Sequence, residues 1–517
     1  MTPRERAGLA ALAALAVAVR FAIWQRSAAM MNDGPAFIAL AQDAAAGRLG
    51  ELLAHPYHPL YPLAVALVRP LFASWEGAAA AVSVAAGAVA VACLYAFLRS
   101  AFGPGVAAIG ALLLAVHPYA APYSADVQSE GLYMACFLAA VAATWRALLA
   151  PRLPAALLAG ALAGLAYLAR PEGIGVALVG MAVAAGLLAR GLRPARAMAA
   201  LGAGLALGAA VFVVPYTAAV ARETGEVRLT RKKSVLAIAT LEAGRRAHPG
   251  SAAGEGVEAD WGERVADRLR PVGLAAGELA GAAKRAFRLD HFLVAGLGAW
   301  AAGGPLGLRG AFLGALALLY GFVLIGLHAS VGYVSMRHAL PPLLPLLGYV
   351  ALGLPTVGRA VLWAPAALLR RGAPSPHLAL AVGLALLATA STVMALRPQR
   401  AERAAARAAA EWLAAQDLPV ERVAAAKERE AYYAGASHAT LPDPRGARGK
   451  DWIALLAEQD VRYAIVDERP SKRYPGLDTR APDPRLRVLH RVEAEGRVAW
   501  VVEIAEPEGP AGEVGVD

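Results

Sequence analysis

The sequence predicts an α-helical polytopic membrane protein that carries a small α/β domain at its C-terminus. Hydrophobic residues make up 58% of the 517 residues and charged residues only 17%, whereas an ordinary soluble domain has ~45–50% apolar and ~25% charged residues. Long apolar runs recur up to residue 396, and the composition changes after it. These observations exclude intrinsic disorder and argue against a single water-soluble globule.

About eleven runs approach the ~20 apolar residues that a transmembrane helix needs. They lie near 7–24, 78–98, 105–121, 131–149, 155–170, 173–190, 196–221, 289–304, 310–328, 339–357 and 377–396. The first run is long for a cleaved signal peptide, so we interpret it as a retained signal anchor. Residues 56–73 are rich in proline and have a short apolar stretch, which predicts a re-entrant or surface-lying helix.

The distribution of basic residues in the short loops predicts the orientation, because Lys and Arg beside a span resist translocation. The loops assigned to the cytoplasm contain Arg4, Arg6, Arg99, Arg146, Arg152, Arg190, Arg193, Arg196, Arg309, Arg359, Arg370 and Arg371. The opposite loop at 118–130 contains no Lys or Arg. The N-terminus is therefore expected in the cytoplasm, and this asymmetry accounts for the net charge of +11 without a nucleic-acid partner.

Three segments are then expected outside the membrane, at 25–77, 222–288 and 397–517. The last has helix-like stretches at 401–416 and 450–459 and strand-like stretches at 420–426, 461–468, 486–492 and 498–504. We therefore divide the chain into a transmembrane domain, 1–396, and an extracytoplasmic α/β domain, 397–517. Cys93 and Cys136 both lie in apolar runs, so no disulfide scaffold or cysteine-based zinc site is expected.

Two carboxylates are the strongest candidates for chemistry. Asp33 follows the first span and precedes Gly34-Pro35 and an amphipathic helix from about 37 to 46. An Asp before such a helix is also an ordinary N-cap, which is the local alternative. Glu130 lies at the mouth of the fourth span on the same side, where ionisable residues facing a cavity suggest function. Such carboxylates can deprotonate an acceptor or hold a cation, whereas Asp126 is interpreted as a solvated loop end.

Polar residues in other outer segments are candidates for substrate binding. His55, His58 and Tyr61 lie between prolines, and two histidines alone make a weak zinc signal, so contacts to a sugar or phosphate are favoured. Arginines on the arginine-poor side suit a lipid phosphate, with headgroup anchoring as the alternative. These outer candidates are Arg170, Glu172, Arg337 and His338, together with Lys232 and Lys233 in the long loop.

Several signatures of nucleotide and hydrolase chemistry are missing from the sequence. It has no P-loop, no Rossmann glycine fingerprint, no nucleophile elbow and no His-Glu-x-x-His motif. Nucleotide hydrolysis is therefore not expected to drive the activity.

The order of these motifs resembles that of the bacterial glycosyltransferases of the GT-C fold. The matching features are an Asp after the first span, His-Pro-x-x-Pro-Leu-Tyr-Pro, Ser-x-Glu-Gly-Leu, Arg-Pro-Glu-Gly and Arg-His-x-Leu-Pro-Pro-Leu-x-Pro. Over roughly residues 1–357 the chain is similar to the glycosyltransferase family 39 type, the protein O-mannosyltransferases and the lipid A aminoarabinose transferase. The tail matches less specifically.

The resemblance implies transfer of a sugar from a polyprenyl phosphate carrier to an acceptor on the outer side, with inversion at the anomeric carbon. Asp33 takes the position of the general base, and Glu130 that of a second acid which orients the acceptor or completes a polar site. A phosphate leaving group needs cations, which Arg337, His338 and Lys232 or Lys233 are expected to supply. No other cofactor is implied. A divalent metal is not assigned, because two separated carboxylates do not establish one.

One departure and two alternatives stand beside this interpretation. The acceptor is expected to be a cell-envelope lipid, glycan or protein. Protein O-mannosyltransferases carry an Asp-Glu pair where this chain has Asp33-Gly34, which puts a protein acceptor in doubt. A lipid or solute transporter or flippase is the alternative function, although transporter sites usually lie near mid-bilayer. A scaffold that presents the tail is the third. The Ala/Gly/Arg-rich composition suggests a GC-rich bacterial genome, so the expected location is a bacterial inner membrane whose outer side faces the periplasm. Membrane lipids and a polyprenyl-phosphate-linked sugar are the expected partners.

Overall fold

A computed structural model describes residues 1–230, 261–304, 307–331, 334–368, 373–442, 451–467 and 483–504. The chain divides into two compact units. The first comprises Met1–Trp24 and Ile38–Leu396, and the second comprises Gln25–Phe37 and Arg397–Asp517. Part of the first loop, which the sequence analysis assigns to the transmembrane domain, therefore belongs to the same unit as the tail.

The chain up to residue 396 is helical. Its helices are α1 (Pro3–Gln25), α2 (Gly34–Ala45), α3 (Leu49–Ala54), α4 (Leu60–Val68), α5 (Trp75–Phe102), α6 (Pro104–Ala115), α7 (Ala120–Tyr123), α8 (Glu130–Leu149), α9 (Leu153–Ala169), α10 (Gly175–Ala189), α11 (Ala195–Thr224), α12 (Trp261–Phe287), α13 (Leu289–Ala301), α14 (Leu308–Val331), α15 (Met336–Leu343), α16 (Leu347–Leu368) and α17 (Pro376–Ala395). Short 3-10 turns lie at Arg69–Leu71, Pro171–Ile174 and Leu344–Leu346.

Within the described residues, eight helices are long and apolar enough to cross a membrane. Each of the eleven predicted spans overlaps a helix. Three of these helices, α6, α9 and α13, are shorter than the eight that could cross a membrane, and they correspond to the predicted spans at 105–121, 155–170 and 289–304. The prediction of one continuous helix over 105–121 is wrong, because α6 ends at Ala115 and a loop separates it from α7. The proline-rich segment forms α4, whose nine residues rise about 14 Å, less than the ~30 Å hydrocarbon core.

Glycines allow α9 and α11 to approach each other closely. Gly160 and Gly164 on α9, and Gly204 and Gly208 on α11, are spaced four residues apart and lie on one face of each helix. A Cβ atom on Gly208 would overlap the Leu157 carbonyl oxygen of α9. The Ala/Gly-rich composition of the spans therefore serves backbone contact between helices.

We expect Gly208→Ala to destabilise the first unit by about 1–3 kcal/mol, because the added methyl group overpacks a backbone contact. Gly202→Ala on the same helix is the matched control, since a Cβ there meets no atom within 4 Å. Thermal unfolding of the two variants in detergent measures the difference. Equal melting temperatures would show that α9 and α11 can move apart enough to accept the added methyl group at little cost in stability.

The second unit contains a five-stranded sheet in the order β2-β1-β3-β5-β4. Its elements are α18 (Ala404–Ala414), β1 (Arg422–Ala425), α19 (Glu428–Tyr433), β2 (Ser437–Thr440), α20 (Trp452–Ala457), β3 (Tyr463–Asp467), β4 (Leu486–Ala494) and β5 (Arg497–Ile504). The first three strands in that order are parallel, and β5 and β4 continue the sheet antiparallel. The predicted strands are confirmed, whereas β2 and α19 were not predicted.

Alternate strand residues of this sheet pack on opposite faces. Val423 and Ala425 of β1 lie in a cluster with α18 and α19, whereas Ala424 between them lies in a cluster with α20. Because side chains alternate along a strand, the sheet has a helix-covered core on each side.

Candidate active site

Glu130 and Arg170 form a buried ion pair in the first unit. Glu130 is the first residue of α8, and Arg170 lies directly after α9. An Arg170 Nη2 donates to Glu130 Oε1 at 2.5 Å, and the two side chains are only 7% and 4% exposed. Buried charges are costly unless they are paired, so this pair fixes the start of α8 against the end of α9.

Arg337 brings a second guanidinium to the same carboxylate. It is the second residue of α15, and its Nη1 lies 3.5 Å from Glu130 Oε1. With 21% of its side chain exposed, Arg337 is more accessible than Arg170. Ser129 completes the group, since its Oγ lies 3.4 Å from Arg170 Nε. We name these four residues the Glu130 cluster.

The loop before α8 is buried rather than solvated. Asp126 is 6% exposed, and its Oδ1 accepts the backbone N–H of Val127 at 2.8 Å. The interpretation of Asp126 as a solvated loop end is therefore wrong. Gln128 is also buried, so the loop that leads to Glu130 packs inside the protein.

Tyr61 is fully buried beside this loop. Its hydroxyl donates to the Ala79 carbonyl oxygen at 3.0 Å and lies 3.0 Å from Ser83 Oγ. Ser83 in turn donates to the Gln128 carbonyl oxygen at 3.4 Å. Tyr61 thus joins α4 to α5, and through Ser83 to the loop that leads to Glu130.

His58 and His55 occupy different environments. His58 is 3% exposed, and its ring packs against both Tyr167 and Tyr216 at centroid distances of 5.0 and 5.1 Å. Its Nε2 is 3.4 Å from Thr230 Oγ1. His55 is half-buried and accepts the Tyr57 backbone N–H at 3.1 Å. Among the described residues, no group of three or more His, Cys, Asp or Glu is placed to hold a metal ion.

The remaining predicted residues of the first unit shape the loops around the Glu130 cluster. Glu172 is half-buried in the 3-10 turn after Arg170, and its carbonyl oxygen accepts the Tyr320 hydroxyl at 2.7 Å. His338 accepts the Ser335 backbone N–H through Nδ1 at 3.3 Å, which caps the helix that carries Arg337. Lys232 and Lys233 lie outside the described residues.

Asp33 belongs to the second unit. It directly precedes α2, and its carbonyl oxygen accepts the Phe37 backbone N–H at 3.1 Å, which is the N-terminal capping position that the sequence predicts. The residue is half-buried. Its place at a helix start, next to Gly34, fixes the backbone from which the carboxylate projects.

A buried arginine in α1 was not among the predicted site residues. Arg20 is fully buried, and it donates to Ser124 Oγ at 2.7 Å and to the Ala115 carbonyl oxygen at 3.1 Å. The available signal was a charged residue inside an apolar run, which is expensive in a membrane and marks a specific role.

A second missed group lies at the start of α13. His291 Nδ1 is 3.0 Å from Asp290 Oδ1, and Asp290 is ion-paired with Arg288. The His291 ring lies 5.5 Å from that of His117, and both histidines are fully buried. The short Arg-x-Asp-His sequence was the only local signal for this group.

Comparisons with known proteins agree with this fold. A family model described as dolichyl-phosphate-mannose-protein mannosyltransferase matches residues 54–217. A search of curated proteins found no significant match.

Solved structures of membrane glycosyltransferases match most of the chain. The apo oligosaccharyltransferase of Archaeoglobus fulgidus matches with a TM-score of 0.56 and 14% identity, over 90% of this chain and 69% of that one. The same archaeal enzyme, AglB, in complex with an inhibitory peptide and a dolichol-phosphate has a TM-score of 0.52 and 14% identity, with the same coverage. ArnT from Cupriavidus metallidurans bound to undecaprenyl phosphate has a TM-score of 0.53 and 14% identity, over 95% of this chain and 97% of that one.

At this level of identity the likeness is one of fold. The chain is a multi-pass membrane protein with the GT-C fold, and the fold class predicted from the sequence is confirmed.

Proposed function

We propose that this chain is a membrane glycosyltransferase that moves a sugar from a polyprenyl phosphate carrier to an acceptor on the outer side of the membrane, with inversion. The Glu130 cluster carries the proposal. It places two guanidiniums on one buried carboxylate, contributed by the ends of separate helices, in a fold whose solved examples include complexes with lipid phosphates.

Arg337 is assigned the role of stabilising the phosphate leaving group. Departure of the sugar leaves negative charge on the phosphate oxygens, and guanidinium N–H groups stabilise such charge with paired, directional hydrogen bonds. Arg337 is the more exposed partner of Glu130 and its contact is longer than that of Arg170. Arg170 and Glu130 are positioning residues that hold the guanidinium in place before the carrier arrives.

Asp33 is assigned the role of general base on the acceptor hydroxyl. Inverting transfer needs a base that removes the hydroxyl proton as the new bond to the anomeric carbon forms. Asp33 offers a carboxylate at the start of a helix, and its backbone is held by the hydrogen bond from the Phe37 N–H. This position suits a general base. The acceptor is a cell-envelope lipid, glycan or protein, and the location is a bacterial inner membrane with the N-terminus in the cytoplasm.

The experiment offers labelled polyprenyl-phosphate sugars to membranes that contain the wild type or Arg337→Gln. The wild type is expected to remove the label from one donor. Arg337→Gln is expected to lower kcat/KM for that donor about 10- to 100-fold, because hydrogen bonds to a charged group contribute about 1.5–3 kcal/mol. Arg48→Gln is the matched control, since Arg48 is exposed and pairs with Asp43.

The outcomes separate the proposal from its alternatives. Consumption of no donor would contradict the transferase. A donor that changes membrane side with its sugar still attached would indicate the transporter. Equal kcat/KM values for Arg337→Gln and Arg48→Gln would remove Arg337 from the phosphate site.

A further inference from the structure

The segment before Asp33 is fastened to the C-terminal part of the second unit. Ser27 forms an isolated parallel β-bridge with Gln399, and the Ala28 backbone N–H donates to the Gln399 carbonyl oxygen at 3.0 Å. This part of the first loop therefore pairs with a residue that lies some 370 positions later in the sequence.

Three arginines of the tail bind three successive carbonyl groups of this segment. Arg407 donates to Ala28 at 3.3 Å, Arg400 to Ala29 at 2.6 Å, and Arg429 to Met30 at 3.0 Å. A guanidinium offers several donors in a fixed fork, so it suits carbonyl groups that lack a regular partner. The backbone just ahead of Asp33 is thereby held without forming a helix or a full strand.

Met30 is held on both of its backbone groups by α19. Its N–H donates to Tyr433 Oη at 2.9 Å, and its carbonyl oxygen accepts Arg429. The Met30 side chain is 2% exposed and lies over Gly34, where an added Cβ would come within 2.6 Å of its Sδ. Met30 thus links α19 to the residue that follows Asp33.

We infer that α19 acts through Met30 to position Asp33, so that Arg429 and Tyr433 are positioning residues for sugar transfer. This inference rests on the proposed function and gives the C-terminal domain a role in it. Met30 and Asp33 are three residues apart, which limits their Cα separation to about 11 Å. Without the tail contacts, the segment would sample many backbone conformations.

Burial supports a specific role for Arg429. The residue is 4% exposed, and its Nε lies 3.2 Å from Glu430 Oε1. A buried ion pair is weak evidence for stability, because an apolar pair of similar volume is often as stable. The pair holds the Arg429 guanidinium, which donates to the Met30 carbonyl oxygen close to the proposed base.

The experiment compares purified full-length wild type with Tyr433→Phe and Arg429→Gln. Tyr433→Phe removes a single hydroxyl group, so it tests the inference even if loss of Arg429 prevents folding. Arg422→Gln is the matched control, because Arg422 also donates to a backbone carbonyl group of the tail, that of Gln459, at 3.1 Å. The readouts are hydrogen–deuterium exchange of peptides covering 26–37, and kcat and donor KM.

Both test variants are expected to speed exchange in 26–37 and to lower kcat about 10- to 100-fold, because small displacements of a catalytic group are costly. Donor KM is expected to stay at the wild-type value, and Arg429→Lys is expected to recover part of kcat. In the Asp33→Asn background, Tyr433→Phe should cause no further loss, since both changes disable the same base. Arg422→Gln should leave exchange and kcat unchanged.

Unchanged exchange in both variants would show that α19 does not hold the segment. Faster exchange with wild-type kcat would show that the hold does not position the base. If the wild type consumes no donor, the proposed function fails and the catalytic role of α19 fails with it, while the exchange data still report separately on the physical contact.

Discussion

Asp33→Asn is expected to lower kcat about 10²- to 10⁴-fold, the range by which a positioned general base accelerates a reaction. Asparagine has the same shape as aspartate and is an equally good N-cap, so α2 should still begin at Gly34. The amide cannot accept the acceptor proton, however. Donor binding depends on other groups, so donor KM should change little.

Single-turnover transfer from a labelled polyprenyl-phosphate sugar measures this effect. Asp43→Asn is the matched control, because Asp43 is a carboxylate on α2 that is ion-paired with Arg48. It should retain wild-type turnover. A fully active, folded Asp33→Asn protein would remove Asp33 from the mechanism and leave the interpretation of this residue as a helix cap.

Hydrophobicity made the helices of the first unit predictable, because each span must be apolar over most of its length. The error over 105–121 arose because this stretch contains no Asp, Glu, Lys or Arg to mark the end of α6, and the loop at His117 is buried. In the second unit, β2 has four residues and α19 has six. β1 and α20 are equally short but mostly apolar, so they could be predicted. At least half of the residues of β2 and α19 are polar, so no apolar run marks either element.

The residue types of the site were predictable, but their contacts were not. Arg170 and Arg337 were predicted because they are arginines on an arginine-poor side, and Glu130 because it is a carboxylate at a helix start. Both guanidiniums contact the same oxygen of Glu130. This arrangement depends on how α8, α9 and α15 pack, which no local pattern encodes. Tyr61 was predicted from its setting between prolines, and the structure adds a buried hydrogen bond to Ala79.

The link between the first loop and the tail was also invisible in the sequence. The acceptors of the three tail arginines are main-chain carbonyl groups, which every residue carries. A side-chain pattern therefore cannot show which carbonyl groups are bound. Domain boundaries drawn from composition consequently separated 25–37 from the unit to which it belongs.

Glu130→Gln is expected to destabilise the first unit by about 3–5 kcal/mol, the usual cost of removing one partner of a buried ion pair. Arg170 would keep its charge with 7% of its side chain exposed. Arg337 would lose the carboxylate that lies 3.5 Å from it, so kcat/KM for the donor should fall together with stability. Unfolding in detergent and kcat/KM for the donor measure the two effects, and Glu51→Gln, at an exposed carboxylate in α3, is the control.

A double variant separates the structural effect of Glu130 from its functional one. Removing both charges of a buried pair is often neutral for stability, so Glu130→Gln combined with Arg170→Met should unfold close to the wild type. Arg337 would then lack the carboxylate that holds it, and kcat/KM for the donor should remain low. If the double variant recovers both stability and kcat/KM, the Glu130 cluster only joins the helices and the phosphate must bind elsewhere.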